Sequence, residues 1–302
     1  MTSTTAARKF STLLASFERR RPMRAGSLIV TIYGDAIVPR GGSLWLGSLL
    51  DMLAGFGVEP GLARTAVSRL VADGWFERTR IGKQSYYRLS ARGAAEFATA
   101  TPRIYRATEP PWSGEMEVAV ITTPDAAERA TRRELMLREG YGQVAGNVMV
   151  RPHVGAACDS SAGATADLIV MRTRPQSADN ARALAKACWP LDALGAAYAQ
   201  FLEVFGPVAG EIADGVPLTD QQAFQLRILL IHEWRRIVLR DPLLPCAMLP
   251  EIWPGLRALE LVSSVYRHSL AGAERWLDRH AVNDEGPLPP PAIALEDRFR
   301  GA

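Results

Sequence analysis

From Gly61 to Gly93 the chain runs GLARTAVSRLVADGWFERTRIGKQSYYRLSARG, and within it Arg64, Thr65, Ser68 and Arg69 recur at helical spacing. Ala63, Val67, Leu70 and Val71 occupy the opposite face, so those four polar side chains are left for a groove. They are types that read DNA. Arg spans the O6 and N7 of guanine, Thr offers thymine a methyl and a hydroxyl, and Ser or Arg bonds phosphate. Downstream, Arg80, Lys83 and Arg88 lie on or beside the expected turn Ile81-Gly82-Lys83, where cations would follow a phosphate backbone. The bland alternative is an amphipathic helix and hairpin with a solvated basic face.

Other chemistry is sparse. Cys158, Cys188 and Cys246 lack C-x-x-C spacing, which argues against a disulfide framework and a structural zinc site. His153, His232, His268 and His280 are equally scattered, and no H-E-x-x-H, P-loop, G-x-S-x-G or G-x-G-x-x-G pattern occurs. The expectation is a non-enzyme, with no catalytic residue, no metal ligand and no cofactor.

The elements that would carry the DNA-reading residues precede and follow them. Ser27 to Val38 is apolar enough for a first helix, ended by Pro39-Arg40-Gly41-Gly42. Ser43 to Phe56 places Leu46, Leu49, Leu50, Leu53 and Phe56 at helical spacing before Gly57 and Pro60. The third helix stops at Asp73-Gly74, and Trp75 to Arg80 and Gln84 to Leu89 read as strands. Three helices and a wing make a winged helix-turn-helix, in which the last helix enters the major groove.

Charge follows the same division. Residues 1–97 hold fourteen basic and seven acidic side chains, a net of +7; with +3 for the whole chain, the remainder is 3 − 7 = −4. A basic module on a mildly acidic one suggests nucleic acid contact at one end. Residues 1–25, with Arg19, Arg20, Arg21 and Arg24, read as a basic flexible arm that touches phosphate or merely solubilises. No apolar run reaches eighteen residues and no signal-peptide core is visible, so a cytoplasmic protein without a membrane is expected.

Pro- and Gly-marked residues 98–114 suggest a boundary. Beyond it, Glu115 to Thr122 reads as a strand, Pro124 to Arg138 as a helix, Gln143 to Val150 and Asp167 to Thr173 as strands, and Ala178 to Leu194 as a helix. That order fits a ferredoxin-like α+β domain over 112–195. Residues 196–282 read as a helical domain, with Thr219 or Asp220 capping a helix, and 283–302 as a Pro-rich tail, extended or disordered. The fold class expected is therefore α+β, with the winged helix-turn-helix over 26–97.

The segment ARTAVSRLVADGWFERTRIGKQSYYRLSARG, with LLIHEWRRIVLRDPLLPCAMLPEIWPG far downstream, resembles the PaaX family of bacterial repressors of phenylacetate degradation. The resemblance spans about Gly26 to His280. It implies an N-terminal winged helix, a central domain similar to the Cas2 ferredoxin-like fold, and a C-terminal helical domain. It further implies a homodimeric repressor on double-stranded operator DNA, released by an aryl-CoA effector such as phenylacetyl-CoA. One departure is visible: the family opens its central domain with a tryptophan-rich segment, whereas here Trp112 is followed by Ser113-Gly114-Glu115-Met116.

A coenzyme A thioester requires cations for phosphate and an apolar slot for its aryl group. His232, Arg235 and Arg236 share a helical face and Trp253 follows a proline turn, so these four are the candidate effector residues. The competing reading pairs Arg235 and Arg236 with Glu233, Asp241 or Glu251 and packs His232 and Trp253 structurally. Two rival classes stay open: a metal-dependent nuclease using Asp125 near the end of the first Cas2-like strand, and an effector-independent DNA-binding adaptor.

Overall fold

The computed structural model describes residues 3–19, 25–106, 112–154 and 167–300. The fold is α+β, and its contacts group into two compact units. One comprises 1–107, 200–239 and 257–302; the other comprises 108–199 and 240–256.

In the first unit, Ser3–Glu18 forms α1, a correction to the flexible arm expected there: Phe10 and Leu13 are buried, so this stretch has an apolar face to pack. Arg20, Arg21 and Arg24 lie outside the described residues. Helix α2, Ala25–Ile32, runs into a π-helical turn over Tyr33–Ile37 and a 3-10 turn over Val38–Arg40, together covering the expected first helix. Leu28, Ile29, Ile32, Tyr33 and Ile37 from this stretch are among the most buried side chains of the chain.

Leu44–Trp45 is a short strand, β1, where helix was expected; helix α3 then occupies Leu46–Ala54 and α4 Pro60–Ala72. Strands β2, Phe76–Ile81, and β3, Gln84–Leu89, form an antiparallel hairpin, and β1 pairs with β3 to complete a sheet ordered β1-β3-β2. Helix α5, Ala91–Ile104, extends into the stretch 98–114 where a boundary was expected, and the division between the two units falls within that stretch, after residue 107. Ser90 caps α5 by accepting from the Gly93 amide, and Tyr105 N–H still reaches the Thr101 carbonyl beyond Pro102.

The second unit holds β4 (Met116–Ile121), α6 (Ala126–Arg138), β5 (Gly142–Ala145), β6 (Val148–Pro152), β7 (Leu168–Thr173) and α7 (Ala178–Cys188). Its antiparallel sheet is ordered β5-β6-β4-β7. The single strand expected over Gln143 to Val150 is instead two, because Gly146-Asn147 turns the chain between Ala145 and Val148. Ala119, Ile121, Met136, Tyr141, Met149 and Leu168 form its core.

Helix α8 spans Leu191–Ala213, α9 Asp220–Val238 and α10 Pro254–His280. Thr219 caps α9 in a reciprocal box with Gln222. The helical region expected as one domain over 196–282 is divided between the two units, with α9 wholly in the first. α9 is buried almost all round, Phe224 through His232 included. The tail is neither free nor merely extended. Leu288, Leu295 and Phe299 are buried in the first unit, and the Ala292 amide donates to the Pro39 carbonyl. Apolar side chains spaced among the prolines account for this correction.

Candidate nucleic-acid interface

Helix α4 starts on Pro60, whose missing amide costs nothing in the first turn, and ends at Asp73, with Gly74 at φ +73°. Ala63 and Val67 are buried and hold the helix down, in contact with α2 and α3. Arg64, Thr65, Ser68 and Arg69 are all exposed on the other side. Thr65 Oγ1 donates to the Gly61 carbonyl at 3.0 Å; Arg64 and Arg69 make no hydrogen bond or ion pair among the described residues.

The hairpin follows at once. Its two-residue loop is Gly82-Lys83, closed by the Ile81–Gln84 pair, and Gly82 has φ +60°, as the first loop position of a II′ turn requires. Arg80, Lys83 and Arg88 are exposed. Arg80 Nε bonds the Gly82 carbonyl at 3.2 Å and braces the turn, whereas Lys83 makes no bond among the described residues. Arg88 is close enough to Asp284 to help lower that carboxylate's pKa, after the Ser43 hydroxyl and the Asp284 amide. Arg78, not singled out from the sequence, donates through Nε and Nη2 to Ser85 Oγ across the strands.

Two hydrogen bonds to backbone carbonyls fasten hairpin to helix. Trp75 N–H donates to the Leu70 carbonyl at 2.9 Å, and Ser90 Oγ donates to the Gly74 carbonyl at 2.6 Å. The same unit holds a buried ionic cluster. Asp35 accepts from Arg227 Nε at 2.6 Å, Arg298 Nη1 at 2.9 Å, Tyr105 Oη at 2.6 Å and Tyr266 Oη at 3.2 Å. Burial presses the Arg227 pKa down, but Asp35, Tyr266 and Glu274 raise it above the usual arginine value. The lone acid in SLIVTIYGDAIV and the lone cation in the apolar run of α9 were the visible signals of this cluster.

The four candidate effector residues do not form one site within either unit. His232 Nδ1 and Arg235 Nε both meet the Thr31 hydroxyl, at 2.9 and 2.8 Å. Arg236 turns outward to Glu233, and Trp253, in the second unit, packs edge-on against Tyr198 with centroids 5.9 Å apart. Residues at i, i+3 and i+4 share a helical face, but packing decides which of them point together. Asp125 Oδ1 accepts from the Glu128 amide at 2.8 Å and caps α6. Among the described residues no three His, Cys, Asp or Glu side chains are grouped to hold a metal ion, and no helix is long and apolar enough to cross a membrane. Trp112 Nε1 donates to the Glu115 carbonyl at 2.7 Å.

Known proteins match both ends of this arrangement. Residues 24–93, from α2 through the hairpin, match the model of the PaaX-like protein family, and residues 189–279 match that of the PaaX-like protein C-terminal domain. The Transcriptional repressor PaaX of Escherichia coli K12 is 33% identical over 301 residues, covering 97% of this chain and 95% of the relative. Among solved structures, the uncharacterized protein Rv0674 from Mycobacterium tuberculosis is 25% identical with a TM-score of 0.51, over 76% of this chain and 88% of that one. With similarity running through the helix-and-hairpin module and the downstream helices alike, the chain belongs to the PaaX family.

Proposed function

We propose that this chain is a cytoplasmic transcriptional repressor of a phenylacetate catabolic operon that binds operator DNA as a homodimer. PaaX proteins are regulators rather than enzymes. The observation that carries the reading is the exposed face of α4, where Arg64, Thr65, Ser68 and Arg69 stand together with their cations unpaired among the described residues. We read α2 to β3 as a winged helix-turn-helix, with α4 in the major groove and Arg80, Lys83 and Arg88 along the backbone. The sheet ordered β5-β6-β4-β7 has the strand sequence second-third-first-fourth within its unit, which supports a ferredoxin-like fold there.

Release by an aryl-CoA thioester such as phenylacetyl-CoA is part of the proposal and rests on family membership. It requires the effector to bind better to a conformation that fits the operator worse. The test is a fluorescence-anisotropy titration on the promoter region adjoining the gene, with phenylacetyl-CoA, free phenylacetate and acetyl-CoA added in turn. Arg69→Ala is expected to weaken specific binding by about 1–3 kcal/mol, and Lys83→Ala to lower the salt slope by about 1. Unchanged affinity in Arg69→Ala across salt concentrations removes α4 from the interface. Specific binding that ignores every thioester keeps the repressor and discards this effector.

A further inference from the structure

A cavity of about 150 Å³ opens in the first unit between α2, α5 and α9. Its walls include Trp75, Phe97, Ala100, Ile104 and Ile231, and one guanidinium, that of Arg235. An apolar cavity of about this volume accepts a benzene ring.

Arg235 is the unusual member. Its Nε donates to Thr31 Oγ1 at 2.8 Å, and its Nη2 to the carbonyl and hydroxyl oxygens of Ser27 at 2.8 and 2.7 Å. All three acceptors are neutral. Nη1 donates to nothing, and no carboxylate pairs with this side chain, among the described residues. The carboxylate of Asp35 on the same wall is taken up by Arg227 and Arg298, and that of Glu96 stands exposed at the rim. Burial depresses the Arg235 pKa, Tyr105 raises it and the neighbouring Arg236 adds to the depression. A buried cation without a counter-charge is costly, and a bound anion relieves that cost.

We infer that this cavity is a binding site for a small aryl carboxylate, its ring among Trp75, Phe97 and Ile231 and its carboxylate on the free Nη1 edge of Arg235. The charge-assisted bond sets the orientation and the aromatic walls supply the burial. A ring with no anion leaves Arg235 as it was, and an anion with no ring leaves the cavity unfilled.

Isothermal titration calorimetry on the full chain without DNA tests this separately from the repressor reading, which concerns the α4 face. Benzoate and phenylacetate are the probes, benzyl alcohol and acetate the controls. One saturable site per chain is expected for at least one aryl carboxylate, with each control at least about tenfold weaker. Arg235→Gln is expected to weaken binding by about tenfold or more, and Ala100→Phe, which fills the cavity and leaves Arg235 in place, to abolish it. A thermal melt of each variant establishes that it folds, and Ala100→Phe decides if Arg235→Gln does not. Absence of saturable binding of both carboxylates at millimolar concentration overturns the inference. So does binding that survives in Ala100→Phe, or binding of benzyl alcohol as tight as that of the anions.

Discussion

Asp35 and Arg227 are both fully buried, and their separation of 192 residues makes the pair invisible to any local reading of the chain. Each was odd in its own window, an acid among SLIVTIYGDAIV and a cation among FQLRILLIHEW, and only folding brings the oddities together. The exposure of Arg64, Thr65, Ser68 and Arg69 was legible for the opposite reason, since amphipathic spacing alone decides which side of α4 faces out. The different surroundings of Arg235 and Arg236 were not legible, because only what packs beside each separates the two. Asp35 is held by two guanidinia and two phenols, so its loss strands charge rather than removing one bond. Asp35→Asn is therefore expected to cost about 3–5 kcal/mol in urea denaturation. Asp278, more than half exposed though bonded to Arg40, should lose less than about 1 kcal/mol on replacement by Ala. If the two variants unfold at the same urea concentration, the buried cluster does not stabilise this unit.

Helix α5 meets the β2–β3 hairpin at Gly93, and the fit leaves no space for a side chain. A Cβ there would lie 2.3 Å from the Trp75 carbonyl oxygen, a backbone atom that cannot swing aside. Close approach is the reason for this glycine, and it ties α5 to the residue whose amide bonds the end of α4. Gly93→Ala must push α5 and Trp75 apart, at a cost of about 1–3 kcal/mol. The same displacement disturbs the α4–hairpin junction, so operator affinity measured by anisotropy should fall although residue 93 faces no groove. A variant with native melting temperature and native affinity would show that the junction yields without consequence. At this scale the hairpin was readable because Gly82 marks its turn and β-branched or aromatic residues flank it. Helix α5 was obscured by Thr101-Pro102, which reads as a stop but lies within its last turn, and β1 by having only two residues.

The first unit is assembled from three separated stretches of chain, and it is here that a domain division drawn along the sequence departs most from the contacts. Linear reading favours contiguous modules, because turns and prolines mark breaks in the chain and carry no record of which helices return later. Residues 25–97 contain every proposed DNA contact, yet α2 lies against α9, Trp234 donates to the Ile104 carbonyl, and Gln225 donates to the Gly55 carbonyl. Phe299, fully buried near the chain end, stacks edge-on with Tyr105 and Tyr266. A fragment of residues 25–107 would expose the α2 surface that α9 covers and leave Asp35 without Arg227, Arg298 and Tyr266. A domain of roughly 80 residues buries too little surface to absorb such losses. The fragment is thus expected to show no cooperative thermal transition and no near-ultraviolet circular dichroism, and to bind DNA only nonspecifically, while the full chain unfolds cooperatively. A fragment that melts sharply and keeps operator specificity would mean that the helices of the C-terminal half are not needed to hold the DNA-reading module. Loss of both properties would make those helices part of the module's own core, so that any change in α9 or α10 reaches the operator through α2.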